Sequence, residues 1–458
     1  MRLPRSPAFA LLLAAVLAAC AHRGGAPATA SAEPAWHRGA VVYGVVPPLF
    51  GDPPLRAVTA RLDALAALGV DLLWLAPVTE TDDRGAISYS VTDYWRVRED
   101  FGTPDDLRTL VREAHARGMR VLLDFVPNHT STGHPFYRDA EARGRASPWW
   151  SFYERDASGE ARWDFDWKHL RQLELDNPAV RRMLADAFAY WVREYDVDGF
   201  RVDAAWGLRD RRPDFWPAVV ADLRRQKPDL VLVAEASARE RYWVESGFDA
   251  AYDWTAELGR WAFEHVFDDP GRIGPAIDAA LASDATPMDR VFRFLDNNDT
   301  GERFVTEHGV PFTRVAATLV HTLPGLPVVY TGEEVGAEYE PYEDPPVVAW
   351  TDPHGLLPHY RRLATLRESL PALRDGGYRR VRVVGNDAAF AFVRDAGSAG
   401  QALVVLNFGP AARLRLEPGE PLREAPGWDA LADRAFPVDA AGASAIEVEL
   451  EATSAVVL

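Results

Sequence analysis

From Val41 onward, short apolar runs alternate with segments whose apolar residues recur every three or four positions. The runs Val41–Val46, Val70–Leu75, Arg120–Phe125, Val197–Val202, Leu230–Ala234, Arg290–Leu295 and Leu326–Tyr330 read as strands. Between them, Leu55–Leu68, Pro104–Arg117, Pro178–Tyr195, Asp214–Gln226, Pro275–Ala282, Phe312–Thr322 and Gly355–Leu370 carry the helical period. Thr103 before Pro104 is a helix-start signal and Gly118 the matching stop. A less regular β/α unit falls near Phe248–Phe267. Alternation of this length predicts an α/β fold, a closed (β/α)8 TIM barrel over residues 36–375, in preference to an open doubly wound sheet. No Gly-rich fingerprint follows the first strand, which counts against a dinucleotide fold.

The rhythm breaks twice. Residues 128–176 are aromatic and charged and too long for an ordinary connection, so they predict a small excursion after strand three. Its Trp149, Trp150, Trp163 and Trp167 fit either a sugar platform or, the reading we favour, the core of a small module. After Gly376 the chain turns to short strands, Tyr378–Val384, Ala388–Arg394, Ala402–Asn407, Ala412–Leu416, Ile446–Leu450 and Ala455–Leu458. Residues 376–458 therefore predict an all-β sandwich.

The first 35 residues lie outside this pattern. Arg2 and Arg5 precede an apolar stretch, Ala8–Ala18, too short to span a bilayer as an ordinary helix. It ends in Leu17-Ala18-Ala19-Cys20, which resembles a bacterial lipoprotein cleavage box. We expect residues 1–20 to act as a signal peptide, Cys20 to be lipidated, and residues 21–35 to form a flexible tether. That expectation places the protein outside the cytoplasm, anchored to a membrane on the periplasmic or cell-surface side. Cys20 is the single cysteine, so no intramolecular disulfide forms. A net charge of −18 argues against a nucleic-acid partner, whose phosphates it would repel, but suits a neutral substrate such as a sugar.

The chemistry sits where strands end. Asp203 closes Gly199-Phe200-Arg201-Val202-Asp203, Glu235 closes Leu230–Glu235, and Asp299 closes Phe294-Leu295-Asp296-Asn297-Asn298-Asp299. Asp124 begins Asp124-Phe125-Val126-Pro127-Asn128-His129 at the end of strand three. Carboxylates at the C-terminal ends of barrel strands are placed for catalysis, and a pair of them is the minimum equipment for cleaving a glycosidic bond. Arg201, two residues before Asp203, shares its face of the strand and is expected to keep Asp203 ionised. Glu235 follows an apolar run whose partial burial would raise its pKa and suit it to donate a proton. The plainer alternative is a set of buried ion pairs.

These motifs together resemble the α-amylase family of retaining glycoside hydrolases, over about residues 36–458. Ser90–Tyr94 with Phe101-Gly102-Thr103, and Leu323–Pro327 with Tyr330–Glu334, extend the likeness. The resemblance implies Asp203 as nucleophile, Glu235 as general acid/base and Asp299 as the carboxylate that holds sugar hydroxyls. It implies substrate contacts from Tyr89, His129 and Arg201, with Asp124 orienting its neighbours, while Asn298 and Trp206, which depart from the family, are expected to donate to a sugar hydroxyl and to stack on the sugar beyond the cleavage point. It implies hydrolysis of α-1,4-glucosidic bonds in starch-type α-glucans or maltooligosaccharides. A transglycosylase, a sucrose- or trehalose-active relative, or a silent glycan-binding protein on the same fold remain alternatives.

Three departures stand out. Asn298 replaces the family's histidine, Ser90 an aspartate, and Trp206-Gly207 a Lys-His pair. No cofactor is required by this chemistry. Calcium is an option at Asn128, which matches a family ligand, but Gln172 stands where the excursion's carboxylate is expected.

Overall fold

The computed structural model describes residues 39–282, 287–423, 426–440 and 445–458. The signal-like segment, Cys20 and the tether lie outside the described residues.

Eight parallel strands close into a barrel: β1 (Val42–Val45), β2 (Leu72–Leu75), β3 (Arg120–Phe125), β4 (Gly199–Val202), β5 (Val231–Ser237), β6 (Ala250–Tyr252), β7 (Val291–Phe294) and β8 (Leu326–Tyr330). Each pairs with its neighbours in sequence, and β8 pairs with β1. Strands covered by helices outside and packed side chains inside bury both faces, so they read as unbroken apolar runs. The helix Pro104–His115 opens as expected, with Thr103 and Asp106 forming a reciprocal capping box.

Two elements differ from the sequence reading. After β6, turns occupy the segment up to the helix Ile273–Leu281, and Trp254 pairs with Trp261 in a single bridge. Phe263 and Phe267 are buried there, so their spacing reflects core packing and not a helical face. The helix expected at Phe312–Thr322 starts at Phe304, earlier than its apolar period suggests. It bends at Gly309, whose φ of 77° and ψ of 165° interrupt it two residues before Pro311.

The excursion is tied at its two ends, where His129–Ser131 pairs antiparallel with Leu170–Gln172. Beyond the barrel lie β9 (Gly377–Val384), β10 (Ala389–Asp395), β11 (Gln401–Asn407), β12 (Ala412–Glu417), β13 (Asp439–Ala440), β14 (Ile446–Leu450) and β15 (Ser454–Val457). They form one antiparallel sheet in the order β13-β14-β12-β9-β10-β11-β15. Its two halves share β9, which pairs with β10 through residues 377–381 and with β12 through residues 382–384. Ala391, Val393, Leu403 and Val405 from one half and Leu414, Leu416, Val448 and Leu450 from the other meet in one core, which makes the module a sandwich. The opposite face of β10 and β11, with Phe390, Phe392, Val404 and Leu406, belongs to the core of the barrel. Among the described residues, no helix is long and apolar enough to cross a membrane.

Candidate active site

Neighbouring strands set the level of the two central carboxylates. Gly199 pairs with Val231, Phe200 with Leu232, Arg201 with Val233 and Val202 with Ala234. Asp203 and Glu235 follow at the next position of each strand. The approach is close at the start of this ladder, where a Cβ on Gly199 would lie 1.8 Å from the Val231 carbonyl oxygen. Only glycine fits there.

Arg201 is fully buried and binds three carboxylates. Its Nη1 lies 2.8 Å from Asp124 Oδ1 and 3.3 Å from Asp203 Oδ1, and its Nη2 lies 3.1 Å from Glu235 Oε1. Its Nε donates to the Tyr252 hydroxyl at 3.0 Å. Asp124 accepts further hydrogen bonds from Trp74 Nε1 and the Tyr89 hydroxyl, each at 3.2 Å. Glu235 Oε2 accepts from the Ala204 backbone N–H at 2.5 Å. Ala204 reaches this contact with a left-handed φ of 43°, an uncommon conformation for a residue other than glycine.

The pull of Arg201 on Asp203 does not act alone. Burial, then the charge of Glu235, pushes Asp203 well above the usual carboxylate range. Arg201 opposes this but is divided among three acids, so its pull on any one of them is diluted. Burial likewise raises Asp124 to about 6, against the pull of Arg201. Asp299 is exposed by surface area yet crowded by protein inside the cleft. That desolvation, then the charge of Glu235, pushes it up to about 7.

Residues 47–345 match the family model for the α-amylase catalytic domain. Alpha-amylase MalA of Haloarcula japonica is 31% identical over 82% of this chain and 56% of its own length. The chain belongs to the α-amylase family. A cyclomaltodextrinase of Thermoanaerobacter pseudethanolicus is 26% identical over 74% of this chain and 61% of its own. The chain thus spans little more than half the length of these curated relatives. Among solved structures, the cyclic α-maltosyl-(1→6)-maltose hydrolase of Arthrobacter globiformis has the same fold. It superposes with a TM-score of 0.76 at 24% identity, over 93% of this chain and 99% of its own.

Within this cleft the remaining expected residues divide. Tyr89 is held from both sides, donating to Asp124 and accepting from Asn298 Nδ2 at 3.1 Å. His129 Nε2 donates to the Tyr89 carbonyl at 3.2 Å, and burial lowers its pKa to about 4, leaving it neutral. It fixes Tyr89. Asn298 was expected to reach a sugar hydroxyl, but its amide also donates to the Tyr342 hydroxyl at 2.8 Å, so both of its N–H groups are spent on tyrosines. Tyr342 in turn donates to Asp299 Oδ1 at 3.1 Å. Sequence reasoning missed Tyr342, Trp74 and Tyr252. The available signal for Tyr342 is an aromatic residue in the acidic, Pro-containing loop after β8, on the catalytic face of the barrel.

The excursion's aromatics also split. Trp149 stacks on Phe136 at 3.6 Å, and Arg155 and Arg171 cover Trp150 and Trp163. Trp167 is 44% exposed and lies 4.8 Å from Phe165, which is 60% exposed. Phe165 meets Trp206 edge-on at 5.7 Å. A cavity of about 450 Å³ adjoins this edge, lined by Trp163, Asp164, Gln172, Trp206 and Arg211. Asp203, Glu235 and Asp299 are not among its lining residues.

Asn128 does not present a calcium ligand set. Its Oδ1 accepts from Arg211 Nη2 at 2.6 Å, and its Nδ2 donates to Asp164 Oδ2 at 2.8 Å. Asp164 Oδ1 accepts from Gln172 Nε2 at 2.6 Å. Among the described residues, the grouping that could hold a metal is Asp268, Glu307 and His308, next to the β-module and away from this site.

Proposed function

We propose that this enzyme hydrolyses α-1,4-glucosidic bonds in starch-type α-glucans or maltooligosaccharides with retention of configuration. The observation that carries the reading is the pairing of Asp203 and Glu235, level on adjacent strands and bound to one guanidinium. Asp203 attacks the anomeric carbon while Glu235 passes its proton to the departing glycosidic oxygen, leaving a glycosyl-enzyme ester. Glu235 then takes a proton from water, whose oxygen displaces Asp203. Attack needs Asp203 ionised and the proton on Glu235, so the two carboxyls act as one coupled unit. Asp299 receives sugar hydroxyls and stabilises the distorted ring, and Tyr89 offers its face beneath that ring.

The test is product analysis from soluble starch and maltotriose by the protein beginning after Cys20, with Asp203→Asn as control. Shorter maltooligosaccharides, released first as the α-anomer and absent from the control, are expected. Release of the β-anomer would refute retention, and inert starch and maltotriose would refute the substrate class. The exposed Phe165 and Trp167 beside Trp206 favour a second reading, transfer to a sugar acceptor stacked there. Products longer than maltotriose formed from maltotriose alone would support it.

We further propose that the chain is a membrane-anchored, extracytoplasmic lipoprotein, on the strength of Leu17-Ala18-Ala19-Cys20. Cys20→Ala should release it from membranes on fractionation, and unchanged partitioning would refute the anchor.

A further inference from the structure

Arg211 closes the short helix Ala205–Arg211 that follows Asp203, and four oxygens surround its guanidinium. Nη2 donates to Asn128 Oδ1 at 2.6 Å, and Nη1 donates to the Leu173 carbonyl at 2.8 Å and Glu154 Oε2 at 2.9 Å. Nε donates to the Gly207 carbonyl at 3.1 Å. Asn128 begins the excursion, Glu154 lies within it, Leu173 lies near its exit, and Gly207 belongs to the barrel's helix. One cation therefore ties both ends of the excursion to the segment carrying the proposed nucleophile.

Carbonyl, amide and carboxylate oxygens from separate segments are what a hard divalent cation gathers. Here the position is filled by a side chain. The charge is already balanced, Arg211 against Glu154, and a calcium ion sharing these oxygens would face the guanidinium at short range. Gly207 belongs to the same arrangement, because a Cβ there would lie 2.9 Å from Asn128 Oδ1. The departure at Gly207 thus has a steric reason: it clears the space in which Asn128 meets Arg211.

We propose that Arg211 is a built-in cation that fastens the excursion to the barrel in place of a metal ion, making this cleft independent of calcium. Trp206 shares the helix with Arg211, and Phe165 and Trp167 lie on the excursion, so the anchor sets the spacing of the aromatic edge. Arg211 is then a positioning residue for sugars bound beyond the cleavage point.

The test compares thermal melting of the wild-type protein, Arg211→Ala and Arg211→Lys in a chelator and in millimolar calcium. It is paired with KM and kcat on short and long maltooligosaccharides. The melting arm does not depend on the substrate assignment. Wild-type melting should be the same in chelator and in calcium. Arg211→Ala should melt several degrees lower in chelator and regain part of the loss with calcium, since four oxygens are freed. Its KM for the long substrate should rise severalfold while kcat on the short one changes little, and Arg211→Lys should recover part of both without calcium. A wild-type melting point that falls in chelator and returns with calcium would overturn the proposal, even if the alanine variant fails to fold. An alanine variant with unchanged melting and unchanged KM would overturn it as well.

Discussion

Arg201 and Arg211 stand on either side of Asp203, one at the end of a strand and one at the end of a helix, and they are used in opposite ways. Arg201 is completely buried and faces Asp124, Asp203 and Glu235, a site left with surplus negative charge. Arg211 is 14% exposed and meets one carboxylate, with neutral oxygens completing its shell. Balanced charge suits a joint, because nothing in it gains by changing protonation state. Surplus charge is unfavourable for folding, and after burial it is the next cause that raises the pKa of Asp203 and Asp299. An unbalanced buried cluster in a cleft is therefore the better mark of chemistry, and a balanced one the better mark of architecture.

The largest effect that would break this contrast is at Arg201. Arg201→Ala should cost about 3–5 kcal/mol of stability, because it leaves buried acids without their cation. Turnover should fall by on the order of 10³-fold or more, as the electrostatic frame of the reacting pair is lost. Denaturant melts and initial rates read the two separately. Near wild-type turnover with Arg201 gone would erase the distinction between the two arginines.

A middle-sized effect is expected at Asn298, which links the Tyr89 and Tyr342 hydroxyls. Asn298→Ala should raise KM about fivefold, the worth of one hydrogen bond near 1 kcal/mol. Steady-state kinetics check this, and an unchanged KM would mean the tyrosines hold their places unaided.

The smallest effect sharpens the charge argument through pH. Asp299 is raised to about 7 from an ordinary value near 3.8, so the folded protein binds a proton there that the unfolded chain has released. Its contribution favours folding below the ordinary value and is lost as pH rises through about 7. Other raised acids, such as Glu334 at about 7, slope the same way, so the readout is a difference between proteins. Asp299→Asn should flatten the decline in melting temperature between about pH 4 and pH 7 relative to wild type, and identical slopes would show that the crowding is not felt.

Much of the candidate site could be read from the chain, because its information is local. Asp203, Glu235 and Asp124 each lie at the end of an apolar run, and that position alone puts them at one end of a barrel. Arg201 reached the site through the two-residue period of a strand. What escaped depended on partners far apart in sequence. Glu154 and Arg211 belong to no motif, and their meeting depends on how the excursion folds back. The upward pull on Asp203 escaped for a similar reason, since its burial and the number of acids sharing Arg201 are properties of the closed barrel. Tyr342 sits in a loop without periodicity, and the turns after β6 carry buried aromatics at spacings that imitate a helix.

The β-module has a consequence for how this protein comes apart. Phe408 lies 5.6 Å from Phe267 and 5.2 Å from Phe312, joining the module to a loop and a helix of the barrel. Val404, Leu406 and Val457 fill the same core. The barrel and its appendix are therefore expected to share one melting transition instead of two. A protease cut near Gly376 would not liberate a working barrel but one with a freshly wetted apolar wall, prone to aggregate.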